Sequence, residues 1–306
     1  DRLEVLVNID DQVYQFVQSV SASALEQLAN DFRYNLELDQ GDDEYKALGE
    51  ELHELVFADV EPLLREKSVE TLLVIPDGIL RTIPFSAFFD GDQYMIEKYA
   101  IATTPGISLT FPKRLDVQEA TLFAGGISHS VQGFSSLPGV PGELDKLQDQ
   151  HGAQILHNEE FQRSTIEAQL SSEQYSIVHI ATHGHFDSNP QQSYLLTYDG
   201  KLTMDLLEQS IGSRQQTGNT LDLLVLSACE TAVGDNRAAL GLAGVALKAG
   251  ARSAVASLWQ ISDAATVLII GSFYDHATKD HISKAQALKK AQNELINSER
   301  HSHPSD

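Results

Sequence analysis

At 306 residues, 42% of them hydrophobic, the chain can fill one large or two ordinary domains around a packed core. Its formal charge of −23 argues against the basic surface by which proteins usually hold nucleic-acid phosphates, and reads either as solubility or a salty habitat or as suiting basic partners or basic substrate side chains. A single cysteine excludes an intramolecular disulfide framework and fits a reducing compartment, so a cytoplasmic location is expected.

The chain opens with Asp1 and enters a strand-like pattern at once, which reads as a piece of a longer protein. Residues 3 to 18 predict a hairpin: Val5, Val7 and Ile9 alternate with polar residues, Asp10-Asp11 turn, and Val13 to Val17 return. Two amphipathic helices follow, from Ala22 to Leu38 and from Asp43 to Leu64. Leu72 to Ile75 reads as a buried strand closed by the turn Pro76-Asp77-Gly78. A second unit begins near Ala120 with a strand, a Gly- and Ser-rich loop from Ser128 to Pro141 and a helix over Glu143 to Gln150. The spacing Ser164…Glu167 is that of a capping box and predicts the start of a helix ending near Leu170. A hairpin at Tyr198-Asp199-Gly200, a helix from Thr203, a small-residue helix over Ala238 to Lys248, a strand at Ala254 to Ala256 and helices over Asp263 to His276 and Ser283 to Ile296 complete the order. Alternating strands and helices argue for a mainly parallel sheet covered on both faces. The expected division is residues 1–118, residues 119–300 and a disordered tail, 301–306.

Two segments stand apart from this pattern. Ile177 to Thr182 and Leu223 to Leu226 are apolar runs that end in small residues and then in His183-Gly184 and in Ser227-Ala228-Cys229-Glu230-Thr231. Buried parallel strands deliver residues to the carboxyl edge of a sheet in this way. A thiol becomes a nucleophile when an imidazole takes its proton, and the two need only be adjacent in space. His179, four residues before His183, reads as a hydrogen-bonded core histidine. No Gly-x-Ser-x-Gly elbow, Walker A loop or Gly-x-Gly-x-x-Gly fingerprint occurs.

These segments, with Ser257-Leu258-Trp259-Gln260-Ile261-Ser262-Asp263 downstream and Leu73 to Gly78, Ile83-Pro84-Phe85 and Leu137-Pro138-Gly139 upstream, resemble the CHAT domain. That family comprises bacterial relatives of caspases and separases, often found behind tetratricopeptide repeats. The resemblance implies a caspase-like α/β/α sandwich preceded by a pseudo-protease-like αβ portion. It also implies a cysteine endopeptidase with His183 as general acid/base and Cys229 as nucleophile, and an oxyanion hole from the amides of Gly184 and Cys229. No metal or organic cofactor is required for that chemistry. The expected partners are a protein or peptide substrate and a regulatory protein or N-terminal repeat region, with no membrane association. By resemblance to separases, Asp263 selects a basic P1 side chain, but aspartate also suits a helix N-cap at that position. Trp259 either walls the same pocket or fills core, and Glu230 is a weaker substrate-binding candidate, since a carboxylate beside a thiolate opposes its ionisation.

Two alternatives stand beside this reading. The same fold serves as a non-catalytic signalling scaffold. His183-Gly184-His185-Phe186-Asp187 has the His-x-His-x-Asp spacing of some zinc hydrolases, although Ser188 stands where that motif wants a further histidine.

Overall fold

The computed structural model describes residues 2–38, 44–106, 120–172, 174–186, 192–215, 219–227, 230–231, 250–259, 263–279 and 282–302. Two compact units divide at Thr103/Thr104. The boundary expected at 118/119 falls at the end of residues 107–119, outside the described set.

In the first unit, strands β1 (Leu3–Ile9) and β2 (Gln12–Gln18) pair antiparallel through the turn at Asp10 and Asp11. Helices α1 (Ala22–Leu38), α2 (Glu44–Val56) and α3 (Glu61–Glu66) follow, then β3 (Thr71–Val74), α4 (Met95–Lys98) and β4 (Ala100–Thr103), with β3 and β4 parallel. The sequence predicts one helix over 43–64, but the structure breaks it at Phe57 to Val60. Pro62, in the first turn of α3, lacks the N–H an uninterrupted helix would use, and its ring would meet the carbonyl four residues back. The core joins α1 to the segment around Phe85 and Phe88, where the rings of Phe32, Phe57 and Phe88 meet edge to face. Buried Glu61 is neutralised by Lys98, at 2.9 Å, and Arg65, at 3.1 Å. Lys98 also grips Asp90. Burial alone would raise the Asp90 pKa, but the Lys98 ammonium and two backbone N–H groups outweigh it and hold the carboxyl at about 2.

The second unit is an α/β/α sandwich. Its strands are β5 (Leu122–Gly126), β6 (Gln154–His157), β7 (Ile177–Ala181), β8 (Gly184–Phe186), β9 (Tyr194–Thr197), β10 (Gly200–Thr203), β11 (Leu223–Ser227), β12 (Glu230–Thr231) and β13 (Ala254–Ala256). Its helices are α5 (Val140–His151), α6 (Arg163–Ser171), α7 (Met204–Gln215), α8 (Asp263–Lys279) and α9 (Lys284–Ser302). Five strands form one parallel sheet in the order β13-β11-β7-β5-β6. Side chains alternate across it. Phe123, Val178, Ile180, Leu224 and Leu226 join the layer that includes Ile166 of α6 and Leu207 of α7. Leu122, Ile177, Ala181, Leu223 and Val225 join the layer that includes Leu144 of α5, Phe273 of α8 and Ala287 of α9. Cover on both faces explains why β5, β7 and β11 are buried at every position instead of alternating, and why they are almost wholly apolar.

Three local details bear on the site. A Cβ at Gly126 would lie 2.3 Å from the Ala181 carbonyl oxygen, so glycine lets β5 close on β7 just before the histidine. The capping box expected from Ser164 and Glu167 is not formed. The helix starts at Arg163, two residues before the start a Ser164 cap would give, and the Arg163 N–H donates to Asp199 Oδ1 at 2.8 Å, so a tertiary contact replaces the local cap. The predicted hairpin at 198–200 joins β9 to β10, and with β8 and β12 they form a small second sheet in the order β10-β9-β8-β12. No helix among the described residues is long and apolar enough to cross a membrane.

Candidate functional site

The site is built at the carboxyl edge of the parallel sheet. Strands β7 and β11 are neighbours, and their last paired rung is Ala181 opposite Ser227. His183 and Cys229 each follow that rung by two residues. The next paired rung, between β8 and β12, sets His185 opposite Glu230. Residues 182–184 lie between these two rungs, and in sequence residues 228–229 fall between Ser227 and Glu230. Cys229 itself lies outside the described residues, as do Asp187 and the expected small-residue helix at 238–248. β13 flanks β11 on the other side with Ala256 opposite Leu226, so Trp259 leaves the same edge three residues later and is half-buried. Asp263 is the first residue of α8.

His183 is 7% exposed and held on all sides. The preceding residue, Thr182, donates its N–H to the Ser227 carbonyl at 3.3 Å and its hydroxyl to the Leu196 carbonyl at 3.0 Å. The His183 carbonyl accepts the Leu196 N–H at 2.8 Å, which anchors the histidine to β9. Its Nε2 lies 2.9 Å from the Ser135 carbonyl oxygen. A carbonyl can only accept, so this contact assigns the proton to Nε2 and leaves Nδ1 as the basic nitrogen. The Phe134 ring lies 5.2 Å from the imidazole, tilted by 33°, and shields that side. Gly184, the expected oxyanion donor, begins β8 and is buried.

Neither Ser135 nor Phe134 was legible as part of the site. Ser135 contributes a backbone oxygen, which no side-chain motif announces, and both residues sit in the Gly- and Ser-rich stretch that reads only as a loop.

Behind the same strand lies a second polar group. His179, fully buried, points to the α5 and α8 side, where Glu143 Oε1 approaches its Nε2 to 3.0 Å. The Ser227 hydroxyl lies 3.4 Å from Nε2 and the Tyr274 hydroxyl 3.4 Å from Nδ1. Burial, then the Glu143 charge, pushes the Tyr274 pKa well above that of an ordinary phenol, so Tyr274 stays neutral. Among the described residues the Glu143 carboxylate has no hydrogen-bond partner, and the His179 imidazole is the ring it faces. His185, of the alternative zinc motif, lies with its ring 5.6 Å from that of Tyr194, whose other neighbour is Lys201 Nζ at 3.7 Å from the ring centre. Among the described residues no group of three His, Cys, Asp or Glu side chains is placed to hold a metal.

An α/β/α sandwich whose central parallel strands present a histidine and lead into the chain's one cysteine at a shared edge defines a caspase-like protein. The family model of the CHAT domain matches residues 46–306, most of the chain, and the protein belongs to that family, which is related to cysteine peptidases. No curated protein matches the sequence.

Proposed function

We propose that the protein is a cysteine endopeptidase in which His183 activates Cys229. The observation that carries this reading is the pair of rungs Ala181–Ser227 and His185–Glu230, which flank His183 between β7 and β8 and, in sequence, Cys229 between β11 and β12. Paired strands run about 4.8 Å apart, a spacing over which an imidazole reaches a thiol. With Nε2 occupied by the Ser135 carbonyl, Nδ1 of His183 takes the thiol proton. The thiolate attacks the scissile carbonyl, and the amides of Gly184 and Cys229 receive the oxyanion. The imidazolium then protonates the leaving amine, and water released onto the acyl-enzyme by the same base completes hydrolysis. Asp263 and Trp259 form the pocket for a basic P1 side chain, with Glu230 a further contact to basic substrate, in keeping with the charge of −23. Regulation comes from a protein partner or an N-terminal repeat region.

The test is cleavage of a peptide library by the unaltered chain, Cys229→Ala and His183→Ala. Both variants are expected to lose cleavage to a similar extent, because members of a dyad act as a unit. Cleavage that survives Cys229→Ala and is removed by a chelator would establish zinc chemistry at His183, His185 and Asp187 instead. A chain that binds partners but whose Cys229 ignores electrophilic peptides would be a scaffold.

A further inference from the structure

Among the described residues of the second unit, the only non-glycine positions with left-handed backbone are Gln132, at φ 51°, and Asn158, at φ 51°. The conformation is uncommon for side-chain-bearing residues, least so for asparagine, and it recurs at functional sites where the surroundings hold it. Both bear on one loop. Asn158 follows β6 at the sheet edge and is 7% exposed. Its carboxamide oxygen accepts the N–H groups of Ser128, at 2.9 Å, and His129, at 3.2 Å, while its NH2 donates to Ser128 Oγ at 3.1 Å. Gln132 sits at the outer turn, and its NH2 donates to the Thr197 carbonyl at 2.8 Å, with the Tyr198 and Gly200 carbonyls each at 3.4 Å. The base is closed by Leu137 N–H donating to the Ser128 carbonyl at 3.0 Å, and the interior by Ser130 Oγ donating to the Phe134 carbonyl at 2.6 Å. Between the anchors and the closure lie Phe134 and Ser135, the two residues that touch the His183 ring.

We propose that Asn158 and Gln132 are positioning residues for His183: they lock the loop from Ser128 to Leu137 in the conformation that aims the Ser135 carbonyl at Nε2 and lays Phe134 on the ring. One anchor ties the loop to the strand at the sheet edge. The other ties it to β9, the strand that also receives the His183 backbone. Loop and histidine are thereby referenced to the same frame from opposite sides. The functional half of this inference rests on the proposed catalytic role of His183; the structural half, the orientation and tautomer of the ring, does not.

The test uses the full chain with Asn158→Gly and Gln132→Gly, since glycine keeps the positive φ without strain while deleting the carboxamide. The ring nitrogens of His183 are observed by 15N NMR, and kcat and KM are measured on a peptidyl-arginine aminomethylcoumarin. The unaltered protein is expected to show a proton fixed on Nε2. Each glycine variant should instead show a mixture of tautomers, with kcat lower by about 10–100-fold, as misplacement of a catalytic group by about 1 Å produces, and with KM within about twofold. Asn158→Asp keeps the acceptor for both loop amides and should recover most of kcat. Unchanged ring signals and kcat in both glycine variants would overturn the proposal, as would a loss of kcat that tracks loss of folded protein with the ring unaltered. If Asn158→Gly fails to fold, Gln132→Gly, at an exposed position, decides the matter alone. An unaltered chain that cleaves no peptide, with variants that still shift the ring, would reject the peptidase reading and leave the positioning intact.

Discussion

Glu143 and His179 offer the sharpest energetic prediction. Their side chains are 2% and 0% exposed and their atoms meet at 3.0 Å, between α5 and the central strand β7. Replacing either by leucine leaves the other polar group buried without its partner, which typically costs about 3–5 kcal/mol. In a unit of this size each kcal/mol lowers Tm by roughly 2–4 °C, so each single variant should lose about 6–20 °C. Replacing both removes the stranded group as well as the pair, and an apolar pair of similar volume is often neutral. Glu143→Leu with His179→Leu should therefore be more stable than the sum of the singles by at least about 2 kcal/mol. Chemical denaturation of the four proteins measures this coupling. Single-variant losses that add to within about 0.5 kcal/mol would refute the claim that His179 and Glu143 are coupled.

Three further outcomes are expected. Gly126→Ala brings a methyl to 2.3 Å from the Ala181 oxygen and must part β5 from β7, at about 1–3 kcal/mol in denaturation experiments; because Ala181 is two residues from His183, peptide cleavage should fall further than stability, and equal losses would contradict this. Burial lowers the pKa values of His53, His151 and His157 below their ordinary 6.5, so the unfolded chain binds more protons as pH drops below 6.5. Stability should be full above that pH and decline beneath it, and a Tm equal at pH 8 and pH 5 would argue against this. At Asp263, a contact to a P1 guanidinium is worth about 2–5 kcal/mol of transition-state binding, whereas asparagine caps a helix nearly as well as aspartate. Asp263→Asn should therefore abolish cleavage after Arg or Lys at unchanged Tm, and unaltered kinetics would return Asp263 to a capping role.

The sheet was legible because burial on both faces leaves a clear trace: Ile177 to Ala181, apart from His179, and Leu223 to Leu226 are apolar, and each run ends abruptly. His183 and Cys229 stood out because a reactive side chain follows each run. What the sequence hid is tertiary in origin. Asp199 caps α6 from 36 residues away and overrides the local Ser164…Glu167 signal. Phe57 to Val60 break a helix whose periodicity runs straight through, because Pro62 acts on the turn before it. Ser135 enters through a backbone oxygen, and the polar neighbours of His179 lie 36, 48 and 95 residues away in sequence, at Glu143, Ser227 and Tyr274. Periodicity encodes which face is buried, not which polar groups meet there.

Cys229 is the chain's only cysteine, so its reactivity can be read without interference. The rate of its alkylation by iodoacetamide across pH 4 to 10, in the unaltered protein and in His183→Ala, measures whether the histidine governs the thiol. If the pair is a catalytic dyad, the unaltered thiol titrates well below the ordinary value of about 8.5 and the variant returns to it. Profiles that coincide, with both midpoints near that ordinary value, would contradict the dyad and with it the peptidase.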